Sequence, residues 1–433
     1  MAKFLFTMAP ANTIGLATRL IPIARALADR GHDVAVFNPA PAPAKLIDDV
    51  GLRNLRRMLW RSKPPAGFDP AKVSSAWGVE QELATMYGDE RYTRAATAVY
   101  VDLIRRWDAD VVVDSFGLLA CLAARILRVP LASVLQGNYH PASNGYHWWT
   151  GEHPDGLPSA APVINKVAAE HGVAPVTHAV ELLAGDLCLI VGTPETDPLP
   201  ATARVTYVGP IVWQRGNATL PDWVAALSRD NPVIWVYPGD PRYGSAPTPL
   251  DSIVVIRAAI AALGDAPVQI VLTTGYQEVP KEFGTLPSNF HHAAYLPGLA
   301  MAERCDLMVH HGGHSSVMTG LSAGKPAVLI PTITERESNA RRVVALGAGE
   351  IVMPVDGDDG EKHIDVAEFG AKVRRVLNEP DYLRSAQRVA QSMRKFGGAQ
   401  EAADRIERFA GTYTRTTSVA KAGGRSTMFD HFT

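Results

Sequence analysis

The sequence predicts an α/β protein made of two doubly wound, parallel-sheet domains with a cleft between them. Three observations predict it. Short β-branched runs alternate with helix-periodic stretches along most of the chain, the signature of βαβ units. The alternation breaks after Val208-Gly209-Pro210 and then starts again. At about 150 residues per domain, 433 residues hold two or three domains.

In the first half the expected strands are Phe4–Thr7, Val34–Phe37, Asp110–Val113, Leu131–Leu135 and Leu187–Val191. A helix between the first two ends at Arg30-Gly31, where glycine supplies a stop. Residues 52–80 and 136–165 carry Pro, Gly and aromatics without periodicity and are expected as functional loops. In the second half strands are expected at Val233–Tyr237, Val268–Leu272, Leu307–His310, Ala327–Ile330 and Glu350–Met353. Helices are expected near 253–263, 316–323 and 336–346. The resulting division is residues 1–210, a linker over 211–221, a second domain over 222–385, a helix over 386–412 and a flexible tail over 413–433.

Composition removes several function classes. There are 42 Lys+Arg against 44 Asp+Glu, a net charge of −2, which speaks against nucleic-acid binding through a dominant basic surface. Hydrophobic residues make up 47% and charged ones 20%, as in a globular protein with ample core. Cys121, Cys188 and Cys305 are too scattered for a disulfide framework or CxxC site. The apolar window Val111–Leu127 is broken by Asp114 and Arg125, so it reads as a strand and a helix rather than a bilayer span. Phe4-Leu5-Phe6 is too short for a signal-peptide core. A cytoplasmic protein without stable membrane insertion is expected.

The segment His310-His311-Gly312-Gly313-His314-Ser315-Ser316 follows an expected strand and opens a helix. Ligands of open α/β sheets bind at that edge, and a helix N-terminus offers free amides to an anion. Glycines allow close approach of a phosphate, and Ser and His can donate to it. A glycine-rich turn capped by serines is the alternative reading. Zinc is disfavoured because His310 and His311 point oppositely if both lie in the strand. Asp356-Gly357-Asp358-Asp359 has the spacing of a metal clamp, but its glycines read as a solvated turn.

With Tyr295-Leu296-Pro297 before it and Gly324-Lys325-Pro326-Ala327 through Pro331 after it, the segment resembles the nucleotide-sugar motif of the UDP-glycosyltransferase superfamily. It is closest in pattern to the bacterial macrolide and antibiotic glycosyltransferases. The resemblance extends through Asn339-Ala340-Arg341-Arg342, and in the first domain through Leu20-Ile21-Pro22 and Arg30-Gly31-His32. It implies the GT-B fold, with the acceptor mainly on the first domain and the nucleotide sugar on the second. It further implies that the 386–412 helix returns to the first domain.

By this resemblance His311, Gly313, Ser315 and Ser316 take the donor diphosphate without metal or other cofactor. Thr319 stands where many relatives have a ribose-binding Glu, which leans towards a TDP rather than a UDP donor. Glu335-Arg336 replaces an Asp-Gln pair that holds sugar hydroxyls, pointing to a donor sugar other than plain glucose. The other reading pairs Arg336 with Glu337 or Asp240. The largest departure is Leu16, at the position of the relatives' catalytic His, since leucine takes no proton.

Three answers follow: Asp114 serves as base, the acceptor is acidic enough to need none, or the chain is silent. Asp114 capping the following helix is the ordinary alternative, with His140 and His147 as further base candidates. The acceptor surface is expected from Leu16, His140, Tyr146 and Trp148, in stretches that also hold Met58, Trp60, Trp77, Tyr87, Tyr139 and Trp149. These aromatics suit a small apolar aglycone or pack the loops. The implied activity is inverting transfer of a sugar from a UDP- or TDP-sugar to such an acceptor. A silent nucleotide-sugar-binding protein and a nucleotide-sugar epimerase are the alternatives. The partners are the two small molecules, and self-association into a homodimer is left open.

Overall fold

The computed structural model describes residues 1–11, 14–55, 78–143, 156–214, 219–241, 251–275 and 277–423. Seven parallel strands form the first sheet: β1 Lys3–Met8, β2 Asp33–Phe37, β3 Arg53–Asn54, β4 Val111–Ser115, β5 Leu131–Leu135, β6 Leu187–Ile190 and β7 Thr206–Tyr207. Their order is 3-2-1-4-5-6-7, so the winding reverses between β1 and β4. Thr7 is opposite Asp114 in that pairing, which places Asp114 at the carboxyl edge where a ligand crevice forms. All five residues of β4, Val-Val-Val-Asp-Ser, are buried, as a parallel strand covered on both faces requires.

The second sheet repeats the plan with β8 Val233–Tyr237, β9 Gln269–Thr273, β10 Phe290–Ala293, β11 Leu307–His310, β12 Ala327–Leu329 and β13 Gly349–Ile351, in the order 10-9-8-11-12-13. Its reversal falls between β8 and β11, with His310 opposite Tyr237. The His-His-Gly-Gly segment therefore begins at the switch point of the second domain. β14 Val355–Asp356 and β15 Lys362–His363 form a small hairpin, so the acidic run is the turn that its glycines suggest.

Nine helices carry the argument that follows: α1 Gly15–Asp29, α2 Glu90–Trp107, α3 Leu118–Leu127, α4 Ile253–Leu263, α5 His314–Ser322, α6 Thr334–Ala345, α7 Val366–Asn378, α8 Pro380–Met393 and α9 Gly398–Gly423. α2 and α3 cover one face of the first sheet, and α1 covers the other. α4 and α7 cover one face of the second sheet, α5 and α8 the opposite one. Residues 386–412 fall on two helices, α8 in the second domain and α9 in the first. Ala402, Ala403, Ile406 and Ala410 of α9 pack into the core that holds Leu20, Ile23, Ala24 and Leu27 of α1. Arg30 reaches Asp404 at 2.6 Å and Glu407 at 2.9 Å, and these exposed pairs add little beside the apolar contact.

Three expectations need correction at their edges. The stretch 136–165 runs into the helix Ala161–Ala169, whose first turn holds Pro162 where a missing N–H costs nothing. The stretch 52–80 contributes β3 at one end and a helix beginning at Val79 at the other. α9 also runs on to Gly423, beyond the helix end placed at 412. Because Ile406 is fully buried between α9 and α1, Ile406→Ala should cost about 2–4 kcal/mol, read as a lower urea midpoint with an unchanged slope.

Candidate active site

β11 ends on His310, and His311 follows it directly. His310 is 1% exposed, and its Nδ1 accepts the Gly312 amide at 3.1 Å. His311 turns towards the Tyr237 carbonyl, 3.4 Å from its Nδ1, and the two imidazole centroids are 6.4 Å apart. Burial pushes His310 down to about 3. Burial, with the Arg336 and His310 charges behind it, holds His311 well below the usual range. Both rings are therefore neutral near pH 7, and because the Tyr237 carbonyl can only accept, the single N–H of His311 is on Nδ1. The chain turns away through Gly312 at φ +84°, where a Cβ would stand 2.7 Å from the Arg336 carbonyl oxygen. Gly239, at φ +74°, leaves room for the His311 ring, since its Cβ would stand 2.8 Å from Cε1.

α5 starts immediately after. Gly313 is its N-cap and no side chain caps it. The Gly313 carbonyl accepts the amides of Ser316 and Val317, both at 3.0 Å. The amides of His314 and Ser315 have no intrahelical acceptor and open at the positive end of the helix. Ser316 is 7% exposed, and Ser315 is half-buried at the mouth of the turn. Thr319, in the expected ribose position, donates its hydroxyl to the Ser315 carbonyl at 2.8 Å.

α6 braces this turn from the side. Asn339 donates to the Gly312 carbonyl at 3.0 Å and to Glu335 Oε1 at 2.7 Å. Glu335 therefore faces the cleft with its carboxylate oriented. Arg336, 5% exposed, donates to the Thr332 hydroxyl, while Glu337 is taken by Arg341 at 2.6 Å.

The first domain answers with groups from its own strand ends. Gln136, directly after β5, donates to Glu335 Oε1 at 3.0 Å, and Asn138 donates to Ser338 Oγ at 3.0 Å. Asp197, beyond β6, accepts from His314 Nε2 at 3.1 and 3.3 Å and from the Gly137 amide at 2.8 Å. Burial opposes the Asp197 charge, but His314, Gly137 and Thr196 outweigh it and hold the carboxyl below its usual range. Arg19 of α1 reaches Gln136 Oε1 at 3.3 Å and His314 Nδ1 at 3.4 Å through the same nitrogen. The sequence reading missed Arg19, Gln136, Asn138 and Asp197, and weighed His314 only as a metal ligand. The strand-end rule that located His311 also covers Gln136 and Asp197, each a few residues past a strand.

The remaining expected residues sit as follows. Leu16, half-buried in the first turn of α1, packs against the apolar core on both sides of the first sheet. Asp114 is 1% exposed and accepts from Thr7 Oγ1 at 2.6 Å, the Gly117 amide at 2.6 Å and the Cys121 thiol at 3.4 Å. Gly117 is the N-cap of α3, so this carboxylate closes the helix end, the second of its two expected roles. His140, 6% exposed, accepts the Ala142 amide on Nδ1 at 3.1 Å, and burial lowers its pKa. Tyr87 is fully buried in the core, and Tyr139 stacks on Phe116 at 4.0 Å. Phe116 holds φ +64°, a conformation that costs energy in a non-glycine residue, beside the cleft. Tyr146, Trp148, His147, Trp149, Met58, Trp60 and Trp77 lie outside the described residues.

Two Rossmann-like sheets whose switch points face each other define a GT-B protein. Residues 257–409 match the family described as erythromycin biosynthesis protein CIII-like, C-terminal domain. The NDP-glycosyltransferase YjiC of Bacillus licheniformis is 33% identical over 150 residues, 35% of this chain and 36% of that protein. The match thus spans about a third of the length of that curated relative. Demethyllactenocin mycarosyltransferase of Streptomyces fradiae is 27% identical over 94% of this chain and 86% of its own. Among solved structures, spinosyn rhamnosyltransferase SpnG complexed with thymidine diphosphate has a TM-score of 0.67 at 19% identity, covering 94% of this chain and 100% of that one. The second domain of this chain is thus similar to the C-terminal domain of the CIII-like family, and the chain as a whole is similar to bacterial natural-product glycosyltransferases.

The buried Asp114 gives a pH signature. Burial raises its carboxyl from 3.8 to about 6, against the lowering by Thr7 and Gly117. Between about pH 4 and pH 6 the folded protein keeps a proton that the unfolded chain has released. The contribution of Asp114 to stability therefore falls as pH rises through that window, by at most about 3 kcal/mol. Asp114→Asn should flatten this part of the stability–pH curve, measured as urea midpoints at pH 4.5 and pH 7.

Proposed function

We propose that the protein transfers a sugar from a TDP- or UDP-sugar to a small, largely apolar natural-product acceptor, inverting the anomeric centre and using no metal. The observation that carries this reading is the open end of α5 at the β8/β11 switch point, flanked by His311 and by the carboxylate of Glu335. Oriented amides stabilise the charge that develops on the departing diphosphate, and His311 would add its one N–H by turning it from the Tyr237 carbonyl to a phosphate oxygen. Glu335 and Arg336 would meet the donor sugar, Glu335 as an acceptor for hydroxyls and Arg336 as a fixed cation. The hydroxyl of Thr319, returned to its own helix, supports a donor whose ribose needs no acidic partner there. Leu16, His140, Tyr146 and Trp148 would face the acceptor.

In the displacement the acceptor oxygen bonds the anomeric carbon as the bond from that carbon to phosphate breaks, and the acceptor's proton must leave. We assign its removal to Asp114, whose raised pKa suits a group that exchanges protons near neutrality. Its burial and its three donors favour a second reading, in which the acceptor has phenol-like acidity and needs no base. Asp114→Asn decides between them. A fall in turnover of about 10²- to 10⁴-fold supports Asp114 as base, and unchanged turnover supports the acidic acceptor.

The reaction itself is tested by incubating the protein with TDP- and UDP-sugars, with and without an aglycone panel, and measuring free nucleoside diphosphate. Acceptor-dependent release is expected, with inversion read from the product's anomeric coupling and release lowered at least tenfold in His311→Ala. Donor binding without release across the panel would sink the transferase reading. A clear preference for UDP-glucose would remove the assignment of an unusual donor sugar.

A further inference from the structure

Arg19 is a buried cation whose surroundings do not satisfy it. It lies three residues after Leu16 on α1, so the two share a helix face one turn apart. The residue is 5% exposed, and its NH1 is buried without a hydrogen-bond partner among the described residues. NH2 is shared between Gln136 Oε1 at 3.3 Å and His314 Nδ1 at 3.4 Å. Neither nearby carboxylate pairs with it. Asp197 is committed to His314, Gly137 and Thr196, and Glu335 to Gln136 and Asn339. A charged donor left unsatisfied in the interior is strongly unfavourable, and arginine does not escape by deprotonating.

The second observation lies across the cleft. The imidazole that NH2 faces belongs to His314, the first residue of α5, whose backbone amide is among those left open at the helix end. A guanidinium lacking an anion and a helix terminus suited to one therefore meet at a single residue. We propose that Arg19 is the first domain's half of the donor site and that its NH1 donates to non-bridging oxygens of the bound nucleoside diphosphate. This rests on the nucleotide-sugar reading given above and adds to it a ligand from the opposite domain. As the bond from anomeric carbon to phosphate breaks, its electron pair passes to the phosphate oxygen. Arg19 neutralises that oxygen without transferring a proton. His314 and Asp197 position the guanidinium. The planar fork is held through NH2, and NH1 is the nitrogen left without a partner among the described residues.

Isothermal titration with TDP and UDP, together with thermal melting, tests this on the full chain and on Arg19→Met and Arg19→Lys. Losing a charge-assisted contact should weaken TDP and UDP binding roughly 10- to 100-fold in the Met variant, with partial recovery in the Lys variant. Without ligand, Arg19→Met should melt no lower than wild type, because the apolar side chain removes the cost of an unpaired buried cation. Unchanged TDP and UDP affinity with a lower ligand-free melting temperature would make Arg19 a structural residue and overturn the proposal. A loss confined to UDP-glucuronate, with UDP unaffected, would overturn the diphosphate assignment in favour of a sugar carboxylate. Wild-type protein that binds neither nucleotide overturns the nucleotide-sugar reading along with this one.

Discussion

The polar groups at the strand ends of the two sheets meet at a buried boundary, and what they bond to governs the cleft. Asp197–His314 and Gln136–Glu335–Asn339, joined through Arg19, form a connected set in which each domain satisfies donors and acceptors of the other. In such surroundings a lost partner costs more than a formed bond contributes, about 1–3 kcal/mol for each orphaned group. The domains are therefore held in one register by the penalty of breaking it. A ligand entering between them must replace these bonds in kind, which favours one dense in oxygens on the second-domain side.

That constraint orders the division of labour. The second domain presents its site through backbone: a glycine turn braced by Asn339, two amides without acceptors and a neutral histidine. Little charge is needed there, because helix-end amides carry partial positive charge whatever the protein's net charge of −2. Fixed cations are placed at the margins instead, Arg336 behind the turn and Arg19 on the opposite wall. Burial, with the Arg336 charge behind it, lowers the His311 pKa, so that imidazole stays neutral over the whole physiological range.

The architecture was legible in the sequence because its signals are local. Alternating strand and helix patterns, and the restart after Gly209-Pro210, need only neighbouring residues to be read. The turn at Gly312-Gly313 was legible for the same reason, since glycines directly after a strand and before a helix have few other uses. The partners of Glu335 were not legible. Gln136 is 199 residues away, and His314 lies 117 residues beyond Asp197, pairings set by how two sheets face each other. Asp114 shows the limit from the other side. Its place at a strand end suggested chemistry, yet the amide that it caps is three residues away, so both roles were visible and only packing ranks them.

Arg19 carries this furthest. On α1 it sits among Ala17, Leu20, Ile21 and Ile23, a helix run of mostly buried residues in which an arginine reads as a charge on its way to solvent. Nothing in its spacing marks it as buried, because the surface covering it comes from the opposite domain. Yet the cost of an unpaired guanidinium, set against a total stability of only about 5–15 kcal/mol, is hard to sustain without return. By the resemblance of its first helix, Leu16 stands where relatives are expected to carry a proton acceptor, and three residues further along, the chain keeps a cation that solvation disfavours. The two departures are compatible if catalysis here leans on the leaving group. Stabilising the diphosphate lowers the barrier to breaking the glycosidic bond and lessens the demand on the nucleophile. An acceptor that loses its proton late, or that holds it weakly, then needs no imidazole at position 16.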